Sequence, residues 1–202
     1  MERTPSPDTP TIANYVGVRR LIRTGDLAMY RPTRWNEPLR RRIAYRSRLP
    51  ETLKPWEQYA HVGVCIWWHD VLMLVDMVTS GGRAIRLSRE LARYPKQYDI
   101  RRIDGLKNVN TFCRKMIEME GTPYGWGSLF YAALSIYGVL PATADADVSM
   151  STKAHCAQAV SLSLVEAEED PFADIADIYT TPNMLASVTS YMFTPVVSGE
   201  IA

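Results

Sequence analysis

No CxxC pair, no HExxH and no regularly spaced set of cysteines occurs in the 202 residues of this chain. With three Cys and three His in all, the common zinc-ligand patterns cannot be assembled, and neither a metal nor an organic cofactor is expected. An odd, irregular cysteine count also excludes a disulfide framework, so reduced thiols are the simpler reading. Long apolar runs are missing too. The longest, 129–140, is interrupted by Ser135 and Gly138; it is too short to span a bilayer and reads as a buried helix. The first residues, Met1-Glu2-Arg3-Thr4-Pro5-Ser6-Pro7, contain no apolar stretch. No signal peptide is visible, and a cytoplasmic or virion-associated location is expected.

What is present suffices for one packed domain. The chain is 47% hydrophobic and 10% aromatic, with five Trp and eleven Tyr, which argues against disorder. Net charge is +1 but unevenly spread: residues 1–48 hold eleven Arg against four acidic residues, whereas 154–202 hold seven acidic residues and no Lys or Arg. Solvated faces and internal pairing are the default meaning of such a split. Residues 1–11, with three Pro, read as a flexible tail, and 12–202 as a single domain carrying an Arg-rich insertion at 31–58. Seven Arg fall between 31 and 48, and Pro32, Pro38, Pro50 and Pro55 break any long helix there. Nucleic-acid binding through 31–48 would need more aromatic interleaving than the segment offers.

Hydrophobic periodicity outlines the elements. A short helix is expected over 13–23, a turn at Gly25-Asp26 and a strand at 27–30. The β-rich runs 62–68 and 71–78, separated by His69-Asp70, read as a hairpin. A short strand at 84–87, a helical turn at 88–93 and a strand at 98–103 follow. Helices are expected at 108–120 (Val109, Phe112, Met116 and Met119 inward, closed by Gly121), at 129–137 and at 154–167. The remainder is expected to wrap the surface. The pattern is α+β, with an antiparallel sheet packed against helices.

Cys156 and His61 carry the chemistry this composition allows. A thiol at a helix start and an imidazole on a strand edge are the minimum equipment of a cysteine nucleophile. Ser151 or Thr152 can cap the helix, placing Cys156 in its first turn, where unpaired N–H groups and the dipole favour a thiolate. A two-residue loop at 69–70 sets Trp68 opposite Val71 and Gly63 opposite Asp76. His61 and Asp76 are then diagonal neighbours on one face, roughly 7–8 Å apart along the backbone, and Gly63 leaves room between them. A three-residue loop would send Asp76 to the other face. The competing groups have plainer readings. Cys65 lies on the His61 face but roughly 13 Å along the strand and reads as core; Cys113, in mid-helix, reads as core too. His155 adjoins Cys156 on a diverging helix position, poorly placed as its base. His69, at the hairpin tip, reads as solvated.

Several segments, in order, resemble one family: Gly25-Asp26-Leu27, His61-Val62-Gly63-Val64, an acidic strand residue at Asp76, Gly121-Thr122-Pro123-Tyr124-Gly125-Trp126, His155-Cys156 opening a helix, and Thr181-Pro182-Asn183-Met184-Leu185. Together they are similar to the YiiX-like permuted papain-fold hydrolases, circularly permuted relatives of the NlpC-type cell-wall peptidases. The likeness implies a papain-like (permuted NlpC-type) fold, Cys156 as nucleophile, His61 as general base and Asp76 as its orienting group. It implies a substrate contact or oxyanion donor at Tyr124, which as plain packing would be an aromatic stacked beside Trp126. The implied function is a cysteine-dependent amide hydrolase, a peptidase or amidase acting on peptidoglycan peptides or lipid-like acyl amides. The chain departs from the pattern in three places: Asp76 where Glu is frequent, Ala157 where a small hydroxyl residue is common, and a long 31–58 segment. A different class of reading keeps the scaffold without the chemistry, as a structural or interaction protein of a large assembly such as a phage particle.

Overall fold

A computed structural model describes residues 11–12, 15–32, 59–127, 134, 153–175 and 177–195. Six antiparallel strands form the sheet, in the spatial order β7-β6-β2-β3-β4-β5, and a two-residue β1 joins the β7 edge in parallel. In chain order these are β1 (Thr11–Ile12), β2 (Leu27–Tyr30), β3 (His61–Trp68), β4 (Val71–Val78), β5 (Gly81–Arg86), β6 (Tyr98–Ile103) and β7 (Thr189–Pro195). The helices are α1 (Tyr15–Val18), α2 (Leu87–Arg93), α3 (Val109–Glu118), α4 (Cys156–Glu166) and α5 (Pro182–Ser187). The α+β class and the antiparallel sheet expected from the sequence are both present.

The β3–β4 hairpin has the two-residue tip that its sequence predicts. Trp68 faces Val71 and Gly63 faces Asp76, and His69 takes the turn conformation with φ 52°. A second tight turn joins β4 to β5, pairing Val78 with Gly81 and Asp76 with Arg83. The outer edge of β5 is partly covered, because Gly82 N–H donates to Thr122 O and Gly121 N–H to Gly82 O. That pairing leaves no room for a side chain at Gly82, where a Cβ would collide with Met119 O.

Two apolar clusters sandwich the sheet. Leu27, Met29, Val62, Val64 and Ile66 pack with Phe112 and Met116 of α3 and with Val160 and Leu164 of α4. Ala28, Tyr30, Cys65, Leu74 and Ile100 pack on the opposite side with Tyr15 and Val18 of α1 and Leu87 and Leu91 of α2. α4 is buried along most of its length, as suits a helix that is apolar nearly all round.

The C-terminal part does not wrap the surface as expected. Thr181 caps α5, which is buried, and β7 enters the sheet against β6 with Phe193 opposite Ile100. Polar residues of this segment are buried and paired: Asn183 Oδ1 accepts from Tyr59 N–H at 2.8 Å, and Thr180 Oγ1 donates to Ser161 Oγ at 3.1 Å. A buried polar group with a partner costs little, so polarity here did not report exposure. The 129–137 helix, the 1–11 tail and the 31–58 insertion lie almost wholly outside the described residues.

Candidate active site

His61 opens β3, and Asp76 lies two residues from the end of β4. Their diagonal placement follows from the Gly63–Asp76 pairing, and the imidazole closes the gap: Nε2 sits 2.7 Å from Asp76 Oδ2. Gly63 is what permits this. A Cβ there would lie 2.7 Å from both Asp76 Cβ and Leu74 Cδ1. The Asp76 side chain is fully buried, while that of His61 remains 17% exposed.

Cys156 is the first residue of α4, 6% exposed. The cap is not Ser151 or Thr152 but His155, whose Nδ1 accepts from Gln158 N–H at 3.3 Å while Gln158 Oε1 accepts from His155 N–H at 3.4 Å. The reciprocal arrangement satisfies two of the donors that a helix start leaves unpaired. The second ring nitrogen of His155 donates to Ile178 O at 3.0 Å. With both nitrogens committed, His155 fixes the helix start and takes no proton from the neighbouring sulfur. Among the described residues, the N–H groups of Cys156 and Ala157 have no acceptor.

The thiol and the His61 imidazole are electrostatically coupled. Burial works against the charge on His61, but the Cys156 charge, hydrogen bonds with Asp76 and Cys156, and the Asp76 charge together raise its pKa to about 10. Burial likewise pushes the Cys156 thiol up; the His61 charge, hydrogen bonds from His155 and His61 and the His155 charge bring it down to about 5. The His61 charge is the largest of the influences that favour the thiolate, and His155 adds to it. With Nε2 of His61 on Asp76, the nitrogen left for sulfur is Nδ1. Both shifts run in the direction of a thiolate–imidazolium pair.

Asp76 has a second partner that the sequence reading missed. Arg83 Nε donates to Oδ1 at 2.8 Å and Nη2 to Oδ2 at 3.2 Å, and the same Nη2 donates to Glu90 Oε1 at 2.9 Å. Burial raises the Asp76 carboxyl, but the hydrogen bond and charge of His61, followed by those of Arg83, hold it below its ordinary value. A signal was available: treating Thr79-Ser80 as another two-residue turn would have set Arg83 opposite Asp76.

Tyr124 reaches the same neighbourhood through the backbone. It forms an isolated parallel bridge with Ala154, and Gly125 N–H donates to Ala154 O at 2.9 Å. Its half-buried ring meets Trp126 edge-on, with centroids 5.2 Å apart. Cys65 and Cys113 are buried in the core, and His69 is exposed at the hairpin tip. Among the described residues no group of three His, Cys, Asp or Glu side chains is placed to hold a metal ion, and no helix is long and apolar enough to cross a membrane.

No protein-family model matches the chain, and no curated protein matches it. Among solved structures it is similar to the metalloprotein yiiX from Escherichia coli O157:H7, DUF1105, at 12% identity and a TM-score of 0.46, over 85% of this chain and 97% of that one. No residue role is taken from that likeness.

Proposed function

We propose that the protein is a cysteine-dependent amide hydrolase, a peptidase or amidase on a permuted papain-like fold, with Cys156 as nucleophile, His61 as acid–base group and Asp76 as its orienting carboxylate. The observation that carries this reading is the 2.7 Å bond between the His61 imidazole and a buried carboxylate, beside a buried helix-start thiol that the His61 charge draws towards the thiolate. Two core thiols in the same molecule have no such partner.

The chemistry follows from the resting ion pair. The thiolate attacks the amide carbonyl, forming an S–C bond and an oxyanion. The unpaired Cys156 N–H at the helix start is the natural donor to that oxygen. His61 gives its Nδ1 proton to the leaving nitrogen as the C–N bond breaks, and a thioester remains. His61, now neutral, takes a proton from water as its oxygen attacks the thioester; the S–C bond breaks and the acid is released. Asp76 keeps the imidazole in the orientation that presents Nδ1 to sulfur and stabilises the imidazolium. Tyr124 is assigned to substrate positioning beside the helix start. The substrates of this reading are peptidoglycan peptides or lipid-like acyl amides.

Hydrolysis of a muropeptide panel and of long-chain N-acyl amides, compared between the protein and its Cys156→Ala variant, tests the assignment. Cys156-dependent release of a free amine is expected from one of the two panels. Iodoacetamide labelling is expected to strike Cys156 first, with a midpoint below pH 7.5. Slow, equal labelling of all three thiols overturns the reading in favour of a non-catalytic scaffold, and turnover that survives Cys156→Ala overturns Cys156 as the nucleophile.

A further inference from the structure

We propose that Arg83 and Glu90 are positioning residues that hold the Cys156–His61 pair in its charged state by acting through Asp76. The inference rests on the pairing of Cys156 with His61, but not on turnover, and its test reads the imidazole directly.

Four side chains from four elements form one hydrogen-bonded chain, His61 on β3, Asp76 on β4, Arg83 on β5 and Glu90 on α2, and Cys156 on α4 is electrostatically coupled to its His61 end. Arg83 grips both oxygens of Asp76, and its Nη2 divides between Asp76 Oδ2 at 3.2 Å and Glu90 Oε1 at 2.9 Å. Asp76 is fully buried, Arg83 is 26% exposed and Glu90, beyond it, only 4% at their side chains.

Glu90 is the unexpected member. It lies on the buried face of α2 between Leu87 and Leu91, where a leucine would continue the apolar stripe. Its Oε1 takes Arg83 and, at 3.4 Å, the Tyr98 hydroxyl, but Oε2 is buried with no hydrogen-bond partner. A half-satisfied buried carboxylate is a poor source of stability. It does have an electrostatic use. Arg83 facing Asp76 alone would cancel the field that stabilises the imidazolium. Glu90 withdraws part of that cation, leaving Asp76 enough negative charge to act on His61. The other groups against this cluster leave the assignment intact. Tyr98 is held un-ionised by burial and then by the Glu90 and Asp76 charges. His155 is bonded to Ile178 and Gln158. Arg89 and Arg93 line the cleft beside Arg83 and Glu90 but are exposed, where salt screens them.

The sign is definite. Glu90→Gln keeps the shape and removes the charge, so the imidazolium loses support and the titration midpoint of His61 moves down, by on the order of half a pH unit for one charge acting at this remove. Arg83→Gln/Glu90→Gln removes the cation and anion together and returns the midpoint towards the wild-type value, although it deletes more hydrogen bonds. Glu90→Asp keeps the charge and the midpoint. The experiment is the NMR titration of the His61 ring in all four proteins at constant ionic strength, with the exposed His69 ring as internal reference. A Glu90→Gln midpoint within 0.1 unit of wild type, or a double variant displaced further than the single one, overturns the proposal. Should Glu90→Gln fail to fold, a Glu90→Asp midpoint that moves downward by as much as half a unit overturns it. A chain that hydrolyses nothing but shows the compensating shifts keeps this proposal and loses the previous one.

Discussion

Cys156 and Cys65 are both buried thiols, at 6% and 0% exposure, yet their surroundings drive them in opposite directions. Burial, then the charges of Asp26 and Cys113, pushes Cys65 well above its ordinary range, and burial alone lifts Cys113 to about 12. Cys156 is brought down to about 5 against the same desolvation. Burial by itself therefore silences a thiol, and a cation with a helix start reverses the outcome. Cys65 shares β3 with His61 but sits four residues along. Its backbone is locked in place, with N–H on Asp26 O at 2.7 Å and C=O accepting from Gly25 N–H at 2.9 Å. One imidazole at the end of the strand serves only the sulfur that α4 brings to it.

Removing the imidazole makes the two environments alike and has the largest expected effect. In His61→Ala the alkylation midpoint of Cys156 should rise past pH 8.5, and its labelling rate at pH 6.5 should fall about 10²-fold as the thiolate is lost. Amide hydrolysis, where found, falls by about 10²–10⁴-fold. An unchanged midpoint would mean that the helix start alone activates the thiol, and the contrast with Cys65 would then lie in α4 rather than in His61.

Gly63→Ala sharpens the comparison from the other side of the ring. The new Cβ meets Asp76 Cβ and Leu74 Cδ1 at 2.7 Å, so the strands must part or Asp76 must move. Overpacking of this kind costs about 1–3 kcal/mol, read as a lower denaturation midpoint, and should be accompanied by a higher alkylation midpoint. Gly105→Ala is the control: nothing lies within 4 Å of its Cβ, and φ is +78°, so it costs about 1 kcal/mol in backbone strain and leaves Cys156 untouched. Asp26→Asn separates structural from electrostatic aspartates. Asp26 is held by Arg102 at 2.7 and 2.8 Å and by Arg23 N–H at 2.8 Å, remote from His61. Its loss should destabilise by about 1–2 kcal/mol with no change in Cys156 labelling.

The legible parts of this molecule were those whose reasons are local. Two-residue turn chemistry fixed the β3–β4 register and hence the approach of Asp76 to His61, and a short apolar run after His155-Cys156 marked α4. Long-range or compensated features were not legible. Arg83 was missed because Gly81 and Gly82 hid the start of β5, and those glycines answer to the 119–122 segment rather than to any turn of their own. The surface position expected for the segment holding Pro182 and Pro195 fails because distant partners tie it inward, Tyr59 for Asn183 and Ser161 for Thr180. The cap was assigned to a hydroxyl residue by propensity, whereas His155 does the task with an imidazole that Ile178 O holds from the far side.

The smallest expected effect is on stability, and its sign distinguishes an ion pair from two independent groups. His61 is raised from its ordinary 6.5 to about 10, so its contribution is complete below pH 6.5 and is lost as pH rises through 10. Cys156 is lowered from 9.0 to about 5, so its contribution is complete above pH 9 and is lost as pH falls through 5. Between 6.5 and 9 the two slopes cancel. The unfolded chain carries a neutral thiol and a neutral imidazole, the folded chain carries thiolate and imidazolium, and folding moves one proton from sulfur to nitrogen without exchange with solvent. Stability from the pair should be flat over that window, falling below it because the unfolded chain binds an extra proton and above it because it binds one fewer. Urea denaturation of wild type and Cys156→Ser, taken from pH 4.5 to 10, checks this. The difference curve between them should plateau near neutrality, whereas a steady slope through pH 7–8.5 would mean that the two groups titrate separately and that the resting state is thiol and imidazole.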